Sequence, residues 1–213
     1  MPALTLNLTK PGERGSKLSL NLSKNEVFKV KLSWDGDTDL DLHALACFGA
    51  ANDQPRVTAF EQILSTYNVK RRIGGSEVGT IVKAADGTFD ILNKALVHSA
   101  DAVDGALADV DEWVSVNPGK LDKAAGEVVE IPLVAMIHPQ AAGRTFGHVR
   151  NACVSIEDAS GKTLLTANLS SQFGSFIGVQ MGSIMIDESG KAEFAQTAVG
   201  FNGDFNSVIE NFS

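Results

Sequence analysis

The chain has 213 residues, of which 44% are hydrophobic and 21% are charged, a composition that excludes an intrinsically disordered protein. Its net charge of −8 at pH 7 argues against a nucleic-acid-binding protein or a polybasic membrane anchor. No apolar run approaches the roughly 20 residues of a membrane-spanning helix, and the opening MPALTLNLTK lacks the apolar stretch of a signal peptide. We therefore expect a single domain without a transmembrane segment, with the cytoplasm as its default location.

Short segments of alternating apolar residues, separated by turn residues, make up most of the chain. Alternation over five to ten residues is typical of half-buried strands. The stretches 157–162 (EDASGK) and 187–191 (DESGK) predict hairpin turns. A pattern of strands without alternating helices favours a mostly-β sandwich or barrel. The predicted strands are 4–8, 18–22, 27–34, 127–137, 148–156, 163–169, 176–186 and 192–199.

Several local features refine this pattern. Pro132 lies inside the strand 127–137 and predicts an edge position or a bulge there, because proline cannot donate to a ladder. Helical spacing predicts two helices, over 57–69 and 205–212, with Asp204 as the N-cap of the second. The intervening 70–90 predicts loop and hairpin.

Two cysteines, Cys47 and Cys153, both lie in apolar runs. No CxxC motif or Cys/His cluster accompanies them, which excludes the usual zinc and redox motifs. We expect two buried thiols in a reducing compartment.

The negative charge is concentrated in two acidic windows that contain no lysine or arginine. Residues 35–43 (DGDTDLDLH) carry four aspartates, and residues 98–117 (HSADAVDGALADVDEWVSVN) carry four aspartates and one glutamate. The other 184 residues hold 17 acids and 18 bases, so the two windows account for the whole negative excess. Such a density of carboxylates needs a counter-charge or full solvation. The two open interpretations are solvated acidic loops and a site for a hard divalent cation, which binds several oxygen ligands.

Several familiar chemistries do not fit the windows. An EF-hand needs Gly at loop position six and Glu at twelve, and neither Asp35 nor Asp37 as the first position supplies them. The run from Asp35 misses the spacing of an aspartyl-nucleophile phosphatase by one residue. Glycoside hydrolysis by paired carboxylates needs an aromatic-lined cleft, and only 7% of the residues are aromatic. The four histidines show no metal-ligand spacing, and no nucleophile or nucleotide-binding motif is present.

The sequence resembles the TerD-type family of tellurite-resistance and stress-response proteins. The resemblance is carried by LNLSKNEVFKVKLSWDGDTDLDLHAL, by HSADAVDGALADVDEWVSVN, by VAMIHPQAAGRTFGHVRNACVSIEDASGKTLLTANLS and by FAQTAVGFNGDFNSVIENF. It extends over nearly the whole chain, residues 1–213, apart from an insertion at about 50–90 that is longer than the family pattern.

The resemblance implies a two-sheet β-sandwich with one or two short helices that binds Ca²⁺ through the acidic windows. Ala100, Ala102 and Val110 depart from the family pattern in the second window and indicate a divergent member. The ligands that the resemblance implies are Asp37, Asp39, Asp41, Asp101, Asp111 and Glu112.

We therefore expect a non-catalytic calcium-binding protein of stress response or tellurite resistance. The alternative is a structural component of a virion or assembly, phage-encoded and built on the same sandwich. Gene neighbourhood distinguishes the two. The basic stretch Lys70–Arg72 lies in the insertion and is either a solvated loop or a contact site. In the second case it predicts self-association through the acidic windows of another copy, weakened by salt or by calcium.

Overall fold

The computed structural model describes residues 4–5, 17–22, 26–106 and 110–213. Within this part the chain forms sixteen strands, two short α-helices and five 3₁₀ turns. The strands are β1 (Leu4–Thr5), β2 (Lys17–Leu22), β3 (Phe28–Asp35), β4 (Leu40–Leu45), β5 (Cys47–Ala50), β6 (Ile63–Leu64), β7 (Arg71–Ile73), β8 (Ser76–Val78), β9 (Phe89–Ile91), β10 (Leu96–His98), β11 (Glu112–Val116), β12 (Glu127–Ile137), β13 (Arg150–Glu157), β14 (Thr163–Asn168), β15 (Gly178–Ile186) and β16 (Ala192–Phe201). The helices are α1 (Leu169–Gln172) and α2 (Phe205–Asn211), and the 3₁₀ turns are Phe60–Gln62, Thr66–Asn68, Pro118–Lys120, Pro139–Ala141 and Phe146–His148.

Two large sheets contain most of the strands. The first has the order β1-β14-β13-β3-β11-β10-β9, and the second has the order β2-β16-β15-β12-β4-β6, with β5 pairing to β12 beside β4. Almost all pairings are antiparallel; among the described strands only β1 and β14 pair in parallel. The prediction of a mostly-β sandwich with one or two short helices is confirmed.

The main core lies between the two sheets. In β3 every second side chain, from Phe28 to Trp34, is buried, as the alternation predicted. These side chains pack in one cluster with residues of the second sheet such as Leu42, Leu133 and Ile184. Complete burial of each large apolar side chain is worth roughly 1.5–3 kcal/mol, and this cluster holds the sheets together.

The strand and hairpin predictions from 127 onward agree with the structure within about three residues. The turns at 157–162 and 187–191 close the β13–β14 and β15–β16 hairpins. Pro132 lies in a central strand, so the edge interpretation is wrong. It lies where the neighbour of β12 changes from β5 to β4, next to a bulge between Leu133 and Val134. The ladder on that side is already interrupted, which accommodates the missing N–H. Of the predicted strand 4–8, residues 6–8 lie outside the described residues.

The predicted helix over 57–69 does not form. Two 3₁₀ turns flank the short strand β6, in which Ile63 and Leu64 are both buried and pair with β4. Phe60, which helical periodicity placed on the buried face, is 66% exposed. The open edge of β4 offers backbone hydrogen bonds that a helix could not supply, and this non-local pairing overrides the local pattern.

The closing helix α2 agrees with its prediction. Asp204 caps it by accepting a hydrogen bond from the backbone N–H of Ser207. Phe205 and Val208 are buried, and they form a second cluster with Leu45 and Met136 on the outer face of the second sheet. Since α2 and the 3₁₀ segment lie over this face, β4 is buried on both sides.

The segment 70–90 does contain a hairpin, formed by β7 and β8, which joins neither large sheet. Both cysteines are free, Cys47 buried as predicted and Cys153 only partly buried. In the described part of the chain, no helix has the length and apolar character needed to cross a bilayer.

Candidate metal centre

The fold brings the two acidic windows together at one end of the sandwich. The first window follows β3 and continues into β4, and the second leads into β11, which pairs with β3. An isolated bridge between Gly36 and Gly105 closes the gap, with the N–H of Gly105 donating to the carbonyl of Gly36 at 2.8 Å. A side chain at Gly105 would collide with the Trp34 carbonyl, since a Cβ would lie 2.3 Å from it. Glycine at this position therefore allows the two windows to approach.

Three carboxylates converge at this junction. One oxygen each of Asp41, Asp101 and Glu112 lies within 4.8 Å of the other two. Asp41 and Glu112 are almost completely buried, and Asp101 is exposed. The group, here called the carboxylate cluster, is therefore open to solvent on the Asp101 side and closed on the other.

Both carboxylate oxygens of Asp41 accept hydrogen bonds from hydroxyl groups. Thr66 donates to Oδ1 at 2.7 Å and Tyr67 donates to Oδ2 at 2.6 Å. These donors belong to a 3₁₀ turn that the sequence pattern had placed in a helix. They hold the carboxylate of Asp41 in one orientation without neutralising it.

Backbone amides hold Glu112 in a similar way. Its Oε2 accepts from the N–H of Leu42 at 2.8 Å, and its Oε1 accepts from the N–H of Ala102 at 3.3 Å. His98 lies 3.7 Å from the same side chain, and burial lowers the pKa of this imidazole, although its contacts with the carbonyl oxygens of Ser99 and Leu42 oppose that change. Glu112 is thus positioned by neutral donors from both windows.

Burial and mutual repulsion disfavour the ionised form of these acids. The pKa of Glu112 is raised well above its ordinary value, first by burial and then by the charge of Asp41. Burial also raises the pKa of Asp41, although the hydroxyls of Tyr67 and Thr66 oppose the rise. The pKa of Asp39 is raised to about 6 by burial and by the charge of Asp41. A bound cation would remove this repulsion.

Asp39 flanks the carboxylate cluster without joining it. Its side chain is 20% exposed, and its Oδ2 lies 3.6 Å from Nδ1 of His138. Its other oxygen, Oδ1, is buried and has no hydrogen-bond partner among the described residues. A buried carboxylate oxygen without a donor is costly, so this atom is a further candidate ligand at the site.

Two further predicted ligands, Asp37 and Asp111, have other partners in the structure. Asp37 is 85% exposed and forms an ion pair with Arg144, whose Nη1 lies 2.8 Å from Oδ1. Asp111 accepts a 2.9 Å hydrogen bond from the backbone N–H of Trp34 through its Oδ2. The carboxylate cluster therefore contains three of the six predicted ligands. Asp109 of the second window lies outside the described residues.

Sequence reasoning missed the residues that surround the cluster. Thr66 and Tyr67 orient Asp41, Arg144 holds Asp37, and Lys83 lies 3.8 Å from Oδ2 of Asp101. Arg144 donates as well to the Thr38 hydroxyl. No spacing signal links these residues to the windows, because 107 positions separate Arg144 from Asp37.

The sequence model of the TerD domain matches residues 89–212, more than half of the chain. The chain belongs to the TerD family. A comparison with curated proteins found no match to this chain.

Solved structures resemble the fold over most of the chain. A homologue of the telluride resistance protein TerD from Streptomyces coelicolor A3(2) has a TM-score of 0.63 at 18% identity, covering 89% of this chain and 98% of the other. A second structure, of a protein of unknown function, has a TM-score of 0.61 at 18% identity, covering 88% of this chain and 96% of the other. At this identity the likeness shows a shared TerD-type sandwich.

Proposed function

We propose that this TerD-family chain binds Ca²⁺ non-catalytically, through Asp41, Asp101 and Glu112. The observation that carries the proposal is the convergence of three carboxylates, two of them buried, on one point. Burial raises the pKa of Asp41 and of Glu112, and the charge of Asp41 adds to the rise at Glu112, so a bound cation would favour the ionised form of both carboxylates.

The donor set favours calcium over other metals. All three ligands are carboxylates, and hard cations prefer oxygen. The side open at Asp101 leaves room for water and backbone carbonyls, which the irregular coordination of Ca²⁺ accepts. Mg²⁺ gives up its water shell reluctantly and would gain less. The bound ion would neutralise the cluster, and Asp39 Oδ1 is positioned as a further candidate oxygen ligand nearby.

The residues around the site support a binding role. They are hydroxyl and amide donors that hold the carboxylates of Asp41 and Glu112 in place. Family membership favours a function in tellurite resistance or stress response, and we propose that the protein performs it in the cytoplasm.

Thermal unfolding of the metal-free protein tests the proposal. A ligand at 100 times its Kd adds about 2.7 kcal/mol to the free energy of unfolding. We expect Ca²⁺ to raise the melting temperature by several degrees and Mg²⁺ to raise it less. Asp101→Asn should remove most of the calcium effect, and Asp187→Asn, in the β15–β16 turn, should leave it unchanged. No shift at millimolar Ca²⁺ would refute calcium binding.

A further inference from the structure

Exposed large apolar side chains occur in only two places in the described part of the chain. Phe60, Ile73 and Val82 are 66%, 58% and 70% exposed, and all three lie between residues 60 and 83. The fourth, Val103, is 65% exposed and lies between Asp101 and Asp104. Ile73 lies beside Arg71 and Arg72, and Val103 lies beside Asp104, so each of these two apolar side chains is exposed next to charged groups.

Ile73 belongs to an exposed hairpin. The basic arm, residues 70–78, contains β7 and β8, and residues 70–77 are all exposed. At its base the N–H of Lys70 donates to Ile81, and the N–H of Thr80 donates to Asn68. Gly79 has a φ of +83°, and a Cβ there would lie 2.6 Å from the Asn68 carbonyl. These contacts fix the base of the arm, which lowers the entropic cost of docking.

The two surfaces carry opposite charge and lie side by side. Residues 60–83 include four bases and two acids, in a chain whose net charge is −8. The acidic loop, residues 101–104, has two aspartates and no base. Lys83, just beyond the basic arm, lies 3.8 Å from Asp101, which places the two surfaces next to each other.

We propose that two copies of the chain pair about a two-fold axis, with the basic arm of each copy on the acidic loop of the other. Adjacent patches of opposite charge become self-complementary when a two-fold rotation exchanges them. In this pairing Arg72 meets Asp104 of the second copy, and Ile73 covers Val103. The pairing goes beyond the proposed calcium binding and does not require it.

Charge also argues against a lipid partner for the basic arm. An anionic membrane surface would attract the arm but repel the acidic loop beside it and the net charge of −8. A second copy satisfies both surfaces at once. Contacts between opposite charges on two copies weaken as added salt screens them.

Sedimentation velocity of the full chain, in a metal chelator so that calcium plays no part, tests the pairing. We expect a dimer at low ionic strength that dissociates as salt is added. Arg72→Glu and Asp104→Lys should each weaken association at least about tenfold, because each breaks both symmetric contacts. Lys120→Glu reverses the charge of an exposed residue in the 3₁₀ turn Pro118–Lys120 and should not weaken association.

A mixture of the two variants gives the decisive readout. In a dimer of one Arg72→Glu chain and one Asp104→Lys chain, one contact is native and the other is restored with its charges exchanged. The mixture should therefore dimerise although neither variant does so alone. A monomeric wild-type chain at low salt, or a mixture that stays monomeric, would overturn the proposal. So would a monomer that binds phosphatidylserine vesicles through Arg72.

Discussion

The hydroxyl group of Tyr67 donates a 2.6 Å hydrogen bond to Oδ2 of Asp41, a buried carboxylate of the candidate metal centre. The ring of Tyr67 lies 5.0 Å from that of His43 and 5.6 Å from that of Phe205, measured between centroids. A single side chain thus connects the carboxylate cluster with the aromatic packing beneath helix α2.

Tyr67→Phe should weaken calcium binding while leaving this packing in place. Without the hydroxyl, Asp41 loses a donor that favours its ionised form and fixes its orientation. Loss of a hydrogen bond that orients a metal ligand changes metal affinity about tenfold or more. Calcium titration should show a Kd raised about tenfold, with Ser160→Ala, a hydroxyl removed from the β13–β14 turn, as the unaffected control. An unchanged Kd would show that Tyr67 does not support the site.

Arg144→Gln should strengthen calcium binding. Arg144 pairs with Asp37, and both line a cleft of about 400 Å³ with Asp39. Removing the guanidinium lessens repulsion of a cation and frees the Asp37 carboxylate, so we expect a Kd lower by about threefold to tenfold. Arg144→Lys keeps the positive charge and should stay close to wild type. Weaker binding in Arg144→Gln would mean that the ion pair supports the site instead of competing with it.

Asp39→Asn should stabilise the calcium-free protein, and only at the higher pH values. Its pKa is 3.8 in the ordinary case and about 6 in the fold, so the folded protein holds this proton more tightly than the unfolded chain. The free energy of unfolding therefore falls as the pH rises from 3.8 to about 6, and it stays lower above that range.

The uncharged amide introduced by Asp39→Asn does not titrate, so the variant avoids this fall in the free energy of unfolding. We expect a gain of about 1 to 2 kcal/mol near neutral pH, reduced from the full value because the part of Asp39 that faces solvent is screened. Below the ordinary pKa the gain should vanish. Chemical denaturation across this pH range, with the exposed Asp53→Asn as control, measures it. A gain independent of pH would point to packing instead of charge.

Phe205→Ala should lower the free energy of unfolding by about 3 kcal/mol, because it leaves a cavity in the second apolar cluster. Phe205 is 7% exposed and lies 4.2 Å from the ring of His43. Asn206→Ala, the exposed neighbour in α2, should change stability little. Equal stability of the two variants would mean that α2 does not hold the second sheet.

Local pattern predicted the fold class and the strands from 127 onward, because alternation and turn residues act over a few positions, but it did not predict β4 or β11, which carry Asp41 and Glu112. The strand 127–137 has the predicted bounds, and α2 begins after the predicted cap Asp204. The helix predicted over 57–69 does not form, because Ile63 and Leu64 pair with the edge of β4. Helical spacing does not encode this contact.

The sequence predicted that the candidate site is built from acidic residues, but not which of those residues converge. Six acids were identified, and three of them converge. The fate of the others depends on distant groups, namely Arg144 for Asp37 and the Trp34 amide, 77 positions away, for Asp111. Sequence spacing cannot choose between a metal ligand and a carboxylate that holds a loop, since both are aspartates in an acidic window.

Calorimetric titration of Ca²⁺ into the metal-free protein tests the central claim most directly, with Asp101→Asn and Asp37→Asn compared under the same conditions. The carboxylate cluster predicts saturable binding in the wild type and strong loss in Asp101→Asn. It also predicts binding retained in Asp37→Asn, because that carboxylate is held by Arg144. Absence of binding in the wild type, or equal loss in both variants, would contradict the assignment of the site to Asp41, Asp101 and Glu112.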